Sequence, residues 1–261
     1  MSTATTSDGI DIHFETVGHG PDVVLIHGLT DRSESWGSIA NALAARYRVT
    51  TLDLRGHGQS CDADEYPSIG MARDVQAVVA AAGVHAPLLV GHSLGGIVAT
   101  AFASQYDVRG VVNVDQSLQL SAFKESLMAG ASLLQDPVSF PAVIALLFES
   151  LNGPHLTPEM AAAITSTSTP RQAVVMGVWG QVLTSSIEEL DQLVGALCAT
   201  VTAPYLALMF GVEDSTYRAT LSEWLPQSQC EFWQGVGHFG HRERPDEFVD
   251  RVIRFDQSLS A

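Results

Sequence analysis

The five residues Gly91-His92-Ser93-Leu94-Gly95 constrain this chain more than any other segment. A short apolar run at residues 88–90 predicts a buried strand before them, and residues 97–106 have the small and apolar side chains of a helix. A Gly-x-Ser-x-Gly pattern between a strand and a helix is typical of a sharp turn that holds the serine hydroxyl clear of the main chain. A Cβ at either glycine would crowd the strand against the helix. The segment therefore predicts a serine nucleophile at position 93.

Composition and net charge limit the classes of partner that this chain can bind. The chain has 261 residues, 46% of them hydrophobic, which suits one large domain with an inserted lobe. Its net charge of −16, with Lys124 as its one lysine, argues against nucleic acids and anionic membranes. No apolar run is long enough to span a bilayer, and the polar start lacks the features of a secretory signal. We therefore expect no nucleic-acid partner and no membrane partner. The surface charge says little about a small-molecule substrate, because surface charge and pocket charge are separate matters, and we make no prediction of oligomeric state.

The three cysteines indicate the redox environment. Cys61, Cys198 and Cys230 are widely spaced and odd in number, a pattern that favours free thiols over a disulfide framework or a zinc site. We therefore predict a cytoplasmic protein without a metal site. Separately, we predict no cofactor.

Strand and helix patterns alternate along most of the chain. Strands are predicted at residues 10–17, as an edge strand, and at 23–26, 48–52, 88–90, 110–114, 205–209 and 231–234. Helices are predicted at 35–45, 69–82, 97–106, 215–225 and 245–258. This alternation predicts an α/β fold with a mostly parallel sheet covered by helices.

The pattern changes between residues 117 and 199, which have no clear strand. Five helical stretches are predicted there, at 123–134, 141–151, 158–165, 171–184 and 187–198. We therefore predict a core formed by residues 1–116 and 200–261, with a helical lobe at 117–199 inserted between two strands of its sheet.

A serine hydroxyl is a weak nucleophile until a base removes its proton. The candidate base is His238, because it follows the last predicted strand in a glycine-containing loop and precedes the final helix. The other eight histidines fit this position less well.

The acid that would orient His238 has two main candidates. Asp115 ends the strand that follows the serine helix, and Asp214 follows the first strand after the inserted lobe. Asp214 enters a predicted helix at once, which leaves almost no loop to carry its carboxylate to His238, and a role as helix N-cap competes with catalysis. We favour Asp115 slightly, keep Asp214 as a near-equal alternative, and place Glu213 third.

The negative oxygen of a tetrahedral intermediate needs hydrogen-bond donors. One candidate is the backbone N–H of Leu94, directly after the serine. The other is the N–H of Leu29 in His27-Gly28-Leu29, where the glycine lets the main chain approach the site closely.

Taken together, these motifs resemble the α/β-hydrolase superfamily. His27-Gly28, the segment Asp53-Leu54-Arg55-Gly56-His57-Gly58-Gln59-Ser60, the Ser93 motif and Gly237-His238-Phe239 occur in that family's order. The resemblance implies an α/β-hydrolase fold in which residues 117–199 form a cap over the pocket. Some similar proteins, the zearalenone lactonases and the cofactor-independent quinaldine dioxygenases, have their acid at the position of Asp115. They also have a cap tryptophan like Trp179, which we therefore expect to line the pocket.

The resemblance implies a serine hydrolase that forms an acyl-enzyme on Ser93, which water then hydrolyses. Dehalogenases and epoxide hydrolases of the superfamily have an aspartate where this chain has serine, which argues against both activities. An apolar, aromatic cap favours a neutral, rather hydrophobic carboxylic ester or lactone. Two alternatives remain open, a cofactor-independent dioxygenase of a heteroaromatic substrate and a ligand receptor or signalling protein built on the same fold.

Overall fold

The structure is a computed structural model that describes residues 2–259. Its strands are β1 (Ser2–Thr5), β2 (Asp11–Gly18), β3 (Asp22–Ile26), β4 (Arg48–Leu52), β5 (Leu88–His92), β6 (Gly110–Val114), β7 (Tyr205–Phe210) and β8 (Ser228–Trp233). They form one sheet in the order β1-β2-β4-β3-β5-β6-β7-β8. The pairs β1–β2 and β2–β4 are antiparallel, and every pair from β4 to β8 is parallel. The predicted mostly parallel sheet is confirmed.

The helices of the core are α1 (Gly37–Leu43), α2 (Ser68–Ala81), α3 (Leu94–Ala103), α9 (Ser215–Trp224), α10 (Gly240–Glu243) and α11 (Pro245–Ser258). A 3-10 turn at Ser33–Trp36 precedes α1. Between β6 and β7 the chain forms α4 (Ser121–Gln135), α5 (Phe140–Ser150), α6 (Pro158–Thr167), α7 (Gln172–Thr184) and α8 (Ile187–Cys198). We call residues 117–199 the insert.

Side chains of the central strands alternate between two apolar cores because successive residues of a strand point to opposite faces. Val23 and Leu25 of β3 lie in the core that contains Leu43 of α1 and Phe248 of α11. Their neighbours on β3 lie in the other core, together with side chains of α2, α3 and the insert. Both faces of the sheet are therefore covered, which explains the continuous aliphatic runs of the parallel strands.

The outer edge of the sheet differs from the sequence prediction. Residues 10–17 are predicted to be an edge strand, but β1 pairs outside β2, with Ser2 opposite Phe14 and Thr5 opposite Asp11. This polar segment buries few side chains and is stabilised by its backbone hydrogen bonds to β2. Because few of its residues are apolar, it has no hydrophobic pattern that would predict a strand.

The insert is joined to the core by backbone and side-chain hydrogen bonds around the end of α6. The N–H of Thr169 donates to the carbonyl of Thr30 (2.7 Å). The guanidinium of Arg242 donates to the carbonyl of Ala163 (2.8 Å) and the hydroxyl of Thr167 (3.2 Å). These contacts hold the insert against the carboxyl ends of the parallel strands. No helix within residues 2–259 is long and apolar enough to cross a membrane.

Two buried histidines join the loops beneath the insert. The Nδ1 of His27 contacts the carbonyl of the next residue (2.7 Å), and its Nε2 accepts from the N–H of Leu54 (3.0 Å). His57 makes the same pair of bonds, to the carbonyl of Arg55 (2.9 Å) and from the N–H of Thr30 (3.2 Å). Each ring must therefore be neutral with its proton on Nδ1. Burial lowers the pKa of His27 and lowers the pKa of His57 to about 3.

This burial predicts that acid destabilises the fold. An unfolded histidine takes up a proton below about pH 6.5, whereas folded His57 stays neutral down to a pKa of about 3. The contribution of neutral His57 to the free energy of unfolding is fully present above the unfolded pKa. It is lost as the pH falls towards 3, by about 1.4 kcal/mol per pH unit. Urea unfolding near neutral and at mildly acid pH measures the effect. His57→Gln should reduce the number of protons taken up on unfolding, and so the slope of the unfolding free energy against pH, by about one. An unchanged slope in that variant would contradict the assignment of His57 as a buried neutral histidine.

Candidate active site

Ser93 lies on a strained turn between β5 and α3. It is the N-cap residue of α3, with φ 51° and ψ −122°, a backbone conformation that non-glycine residues rarely adopt. Its N–H donates to the carbonyl of Val114 at the end of the neighbouring strand β6 (2.9 Å). A Cβ on Gly91 would collide with the carbonyl of Gly95, and one on Gly95 with the carbonyl of Ile26. The two glycines thus let the helix pack directly on the strands, as the sequence predicts.

His238 and Asp115 meet beside this turn. The Nδ1 of His238 is 2.7 Å from the Oδ2 of Asp115, and the two side chains are only 16% and 13% exposed. Asp115 directly follows β6 with φ 53°, and its other carboxylate oxygen accepts from the N–H of Phe210 (2.7 Å). The carboxylate is therefore fixed at two points. With the proton on Nδ1 facing the carboxylate, the Nε2 of neutral His238 is free to accept a proton.

Asp214 lies at a different place and has a different function. It is the N-cap residue of α9, where its Oδ1 accepts from the N–H groups of Thr216 (2.9 Å) and Tyr217 (3.0 Å). Glu213, which precedes the helix, is paired with Arg218 of α9 at the surface (2.8 Å). The structure therefore brings His238 to Asp115 and uses Asp214 to start a helix, because α9 begins before its carboxylate could reach the histidine.

The N–H groups of Leu29 and Leu94 are both available as donors. Within residues 2–259 neither N–H donates to another group of the protein. A Cβ on Gly28 would lie 3.2 Å from the Cβ of Ser93, so the loop before Leu29 runs directly against the serine. Among the described residues the Ser93 hydroxyl makes no side-chain hydrogen bond, and the imidazole of His238 bonds only to Asp115. Such nucleophile–base contacts often tighten only when substrate binds.

A cavity of about 1680 Å³ lies above Ser93, between the core and the insert. Ser93, His238, Asp115, Leu29 and Leu94 lie on its core side. The insert supplies most of its apolar lining, namely Phe123, Ile144, Leu147, Phe148, Trp179, Val182, Leu193 and Leu197. No lysine or arginine of the described residues lines it, whereas the exposed carboxylates of Asp64, Glu65 and Glu149 do.

Trp179 lies on α7 at the wall of this cavity. It is buried, and its ring packs edge-on against Phe123 with the ring centroids 5.6 Å apart. Its ring thus both contacts the insert core and lines the pocket. Within residues 2–259 no cluster of three histidine, cysteine or acidic side chains could hold a metal ion.

Three groups around His238 are absent from the predicted set. The Nε2 of His92 contacts the carbonyl of His238 (2.8 Å), and the N–H of His238 donates to the carbonyl of Leu151 (2.9 Å). The ring of His241 packs against that of His92, with centroids 4.3 Å apart. His92 directly precedes Ser93 and His241 lies three residues after His238. This closeness to predicted catalytic positions is the one sequence signal that could have revealed the two histidines. A main-chain carbonyl such as that of Leu151 has no sequence signal.

Comparison with known proteins gives one family. The profile of the family described as "Alpha/beta hydrolase family" matches residues 23–251. A pimeloyl-[acyl-carrier protein] methyl ester esterase of Yersinia pestis is 28% identical over 265 residues, which cover 94% of this chain and 96% of the relative.

Two solved structures also superpose over nearly the whole chain. The esterase RhEst1 from a Rhodococcus species has a TM-score of 0.75 at 28% identity and covers 99% of this chain and 98% of its own. Est816, described as an N-acyl homoserine lactone degrading enzyme, has a TM-score of 0.81 at 22% identity and covers 97% and 100% of the two chains. The second likeness shows a shared fold.

Proposed function

Because this chain belongs to the alpha/beta hydrolase family, we propose that it is a serine hydrolase of neutral, hydrophobic carboxylic esters or lactones. The observation that carries this proposal is the 2.7 Å contact between His238 and Asp115 beside the strained turn of Ser93. A serine held on such a turn, next to a base whose tautomer is fixed by a buried carboxylate, is equipped for nucleophilic attack.

The class of reaction is carboxylic ester hydrolysis, as the sequence predicts. The relatives and structural neighbours of the chain include an esterase of a methyl ester, a second esterase and a lactone-degrading enzyme. Two of these names mention different substrates, a methyl ester and a lactone. The names therefore indicate the chemistry of the reaction and not the particular ester that this chain cleaves.

In the proposed mechanism the Oγ of Ser93 attacks the carbonyl carbon of the ester while the Nε2 of His238 takes its proton. The N–H groups of Leu29 and Leu94 stabilise the negative oxygen of the tetrahedral intermediate. Its collapse expels the alcohol, which takes the proton back from His238, and leaves an acyl group on Ser93. Water, deprotonated by His238, then attacks the acyl carbon, the bond to Oγ of Ser93 breaks, and Oγ regains its proton from His238 as the acid is released. Asp115 stays ionised throughout and stabilises the imidazolium.

The cavity supports the preference for neutral substrates. Its volume of about 1680 Å³ exceeds the roughly 300–1,000 Å³ of common ligand pockets. Its walls are mostly apolar side chains of the insert, which we propose to act as the cap, with Trp179 as a substrate contact. A substrate carboxylate would lose its hydration there without a lysine or arginine partner, and desolvation of an unpaired charge is costly.

Two esters of equal carbon number test this preference. We expect p-nitrophenyl hexanoate to be hydrolysed with a kcat/KM more than about tenfold above that of mono-p-nitrophenyl adipate, which carries a carboxylate at the far end of its chain. Repeating the comparison at high salt separates two causes, because salt screens the exposed carboxylates but does not relieve desolvation. Equal or faster hydrolysis of the adipate ester would refute the preference for neutral substrates.

A further inference from the structure

The backbone of His238 is held from two opposite parts of the molecule. Its N–H donates to the carbonyl of Leu151, which directly follows α5 of the insert (2.9 Å). Its carbonyl accepts from the Nε2 of His92, the residue before Ser93 (2.8 Å). We call these two bonds the His238 clamp. Together with the contact to Asp115, they fix the residue at both its main chain and its ring.

His92 can act in this clamp only as a donor. A carbonyl oxygen has no proton to give, so the Nε2 of His92 must carry one. The ring is buried and lies 4.6 Å, between centroids, from the ring of His238 and 4.3 Å from that of His241. Its Nδ1 faces Gly28, where a Cβ would approach it to 3.0 Å. His92 therefore lies between the loop of Leu29 and the peptide of the base.

The insert side of the clamp depends on two glycines in contact. A Cβ on Gly153 would collide with the backbone nitrogen of Gly237 and meet the carboxylate of Glu243. A Cβ on Gly237 would collide with the backbone of Gly153 and the carbonyl of Leu151. Neither glycine has a positive φ. Glycine is therefore required at both positions because two segments of the chain approach each other closely, and not because of backbone conformation.

We propose that His92 is a positioning residue for the base, and that the His238 clamp sets His238 correctly only while residues 151–153 of the insert are in place. This proposal rests on the proposed function, in which His238 takes the proton of Ser93. The Asp115 bond alone leaves the imidazole free to turn about its Nδ1, whereas a fixed peptide also fixes the direction of Nε2. A displacement of about 1 Å at a reacting group can lower a rate on the order of 10²-fold.

A pair of substitutions at His92 tests the core half of the clamp. Glutamine can present an amide N–H close to the position of Nε2, whereas leucine fills similar space without a donor. We expect His92→Leu to lower kcat for p-nitrophenyl hexanoate on the order of 10²-fold with little change in KM. His92→Gln should keep kcat near the wild-type value. Equal kcat in the two variants would overturn the proposal, since a residue that merely fills space would not need a donor.

A pair of glycine substitutions tests the insert half, and it keeps the clamp open to refutation if His92→Leu does not fold. Gly153→Ala should push residues 151–153 away from His238, whereas Gly130→Ala on α4 meets no atom within 4 Å and is the matched control. We expect Gly153→Ala to lower kcat and to speed hydrogen exchange at residues 235–239, with both unchanged in Gly130→Ala. Unchanged exchange and kcat in Gly153→Ala would overturn the role of the insert.

Failure of the clamp and failure of the proposed function give different results. If the wild-type protein does not hydrolyse any ester, the proposed function is wrong. If it does, and the loss of the donor at position 92 leaves kcat unchanged, only the clamp is wrong. The exchange measurement reports on the Leu151 bond whether or not a good substrate has been found.

Discussion

Replacement of Ser93 by alanine is expected to lower the turnover of p-nitrophenyl hexanoate by on the order of 10⁴- to 10⁶-fold while the protein stays folded. Alanine has the same backbone restrictions as serine, so the strain at φ 51° is unchanged. Within residues 2–259 the Ser93 hydroxyl makes no side-chain hydrogen bond, so its removal breaks no hydrogen bond. The measurement is steady-state release of p-nitrophenolate, with a thermal melt of the same sample.

The control for this variant is Ser38→Ala, the same change on the exposed surface of α1. It should have the kcat and melting temperature of the wild type. Near-normal ester turnover in Ser93→Ala would contradict the nucleophile assignment. If a hydroxyquinolone supports oxygen consumption that survives Ser93→Ala, the chain is a cofactor-independent dioxygenase instead. A ligand receptor would show very slow turnover in the wild type and a ligand-dependent change at the surface of the insert.

The parts of the structure that were predictable are those with local causes. The turn at Ser93 follows from two glycines whose missing Cβ atoms permit close packing, and the central strands follow from their continuous aliphatic runs. The helices of the insert likewise have local apolar patterns. Strand β1 was not predictable, because its four residues are stabilised mainly by pairing with β2 and have no apolar pattern of their own.

The parts that were not predictable depend on where distant loops meet. The choice between Asp115 and Asp214 depends on the path of the chain after β6 and β7, which sequence spacing does not give. The His238 clamp joins residues 92, 151 and 238, and one of its three groups is a main-chain carbonyl. Side-chain chemistry suggests candidates for a site, but only the packing of the insert on the core decides which of them contact each other.

Asparagine in place of Asp115 is expected to lower kcat strongly, whereas the same change at Asp214 is expected to leave kcat unchanged. Asp115→Asn should lower kcat by about 10⁴-fold. The new amide can keep the hydrogen bond from Phe210 and place its NH₂ group against Nδ1 of His238. Nδ1 must then accept, so the proton of the neutral ring moves to Nε2, where it prevents His238 from taking the proton of Ser93.

Asp214→Asn is the matched control, since it makes the same chemical change at a residue that caps α9. Asparagine caps helices about as well as aspartate, so the free energy of unfolding should change by no more than about 0.5 kcal/mol and kcat should stay at the wild-type value. The two variants are compared by kcat and by urea unfolding. A large loss of kcat in Asp214→Asn with a normal Asp115→Asn would mean that His238 leaves Asp115 during turnover. That outcome would also require the loop of residues 235–239 to move, and hydrogen exchange with substrate present would detect that movement.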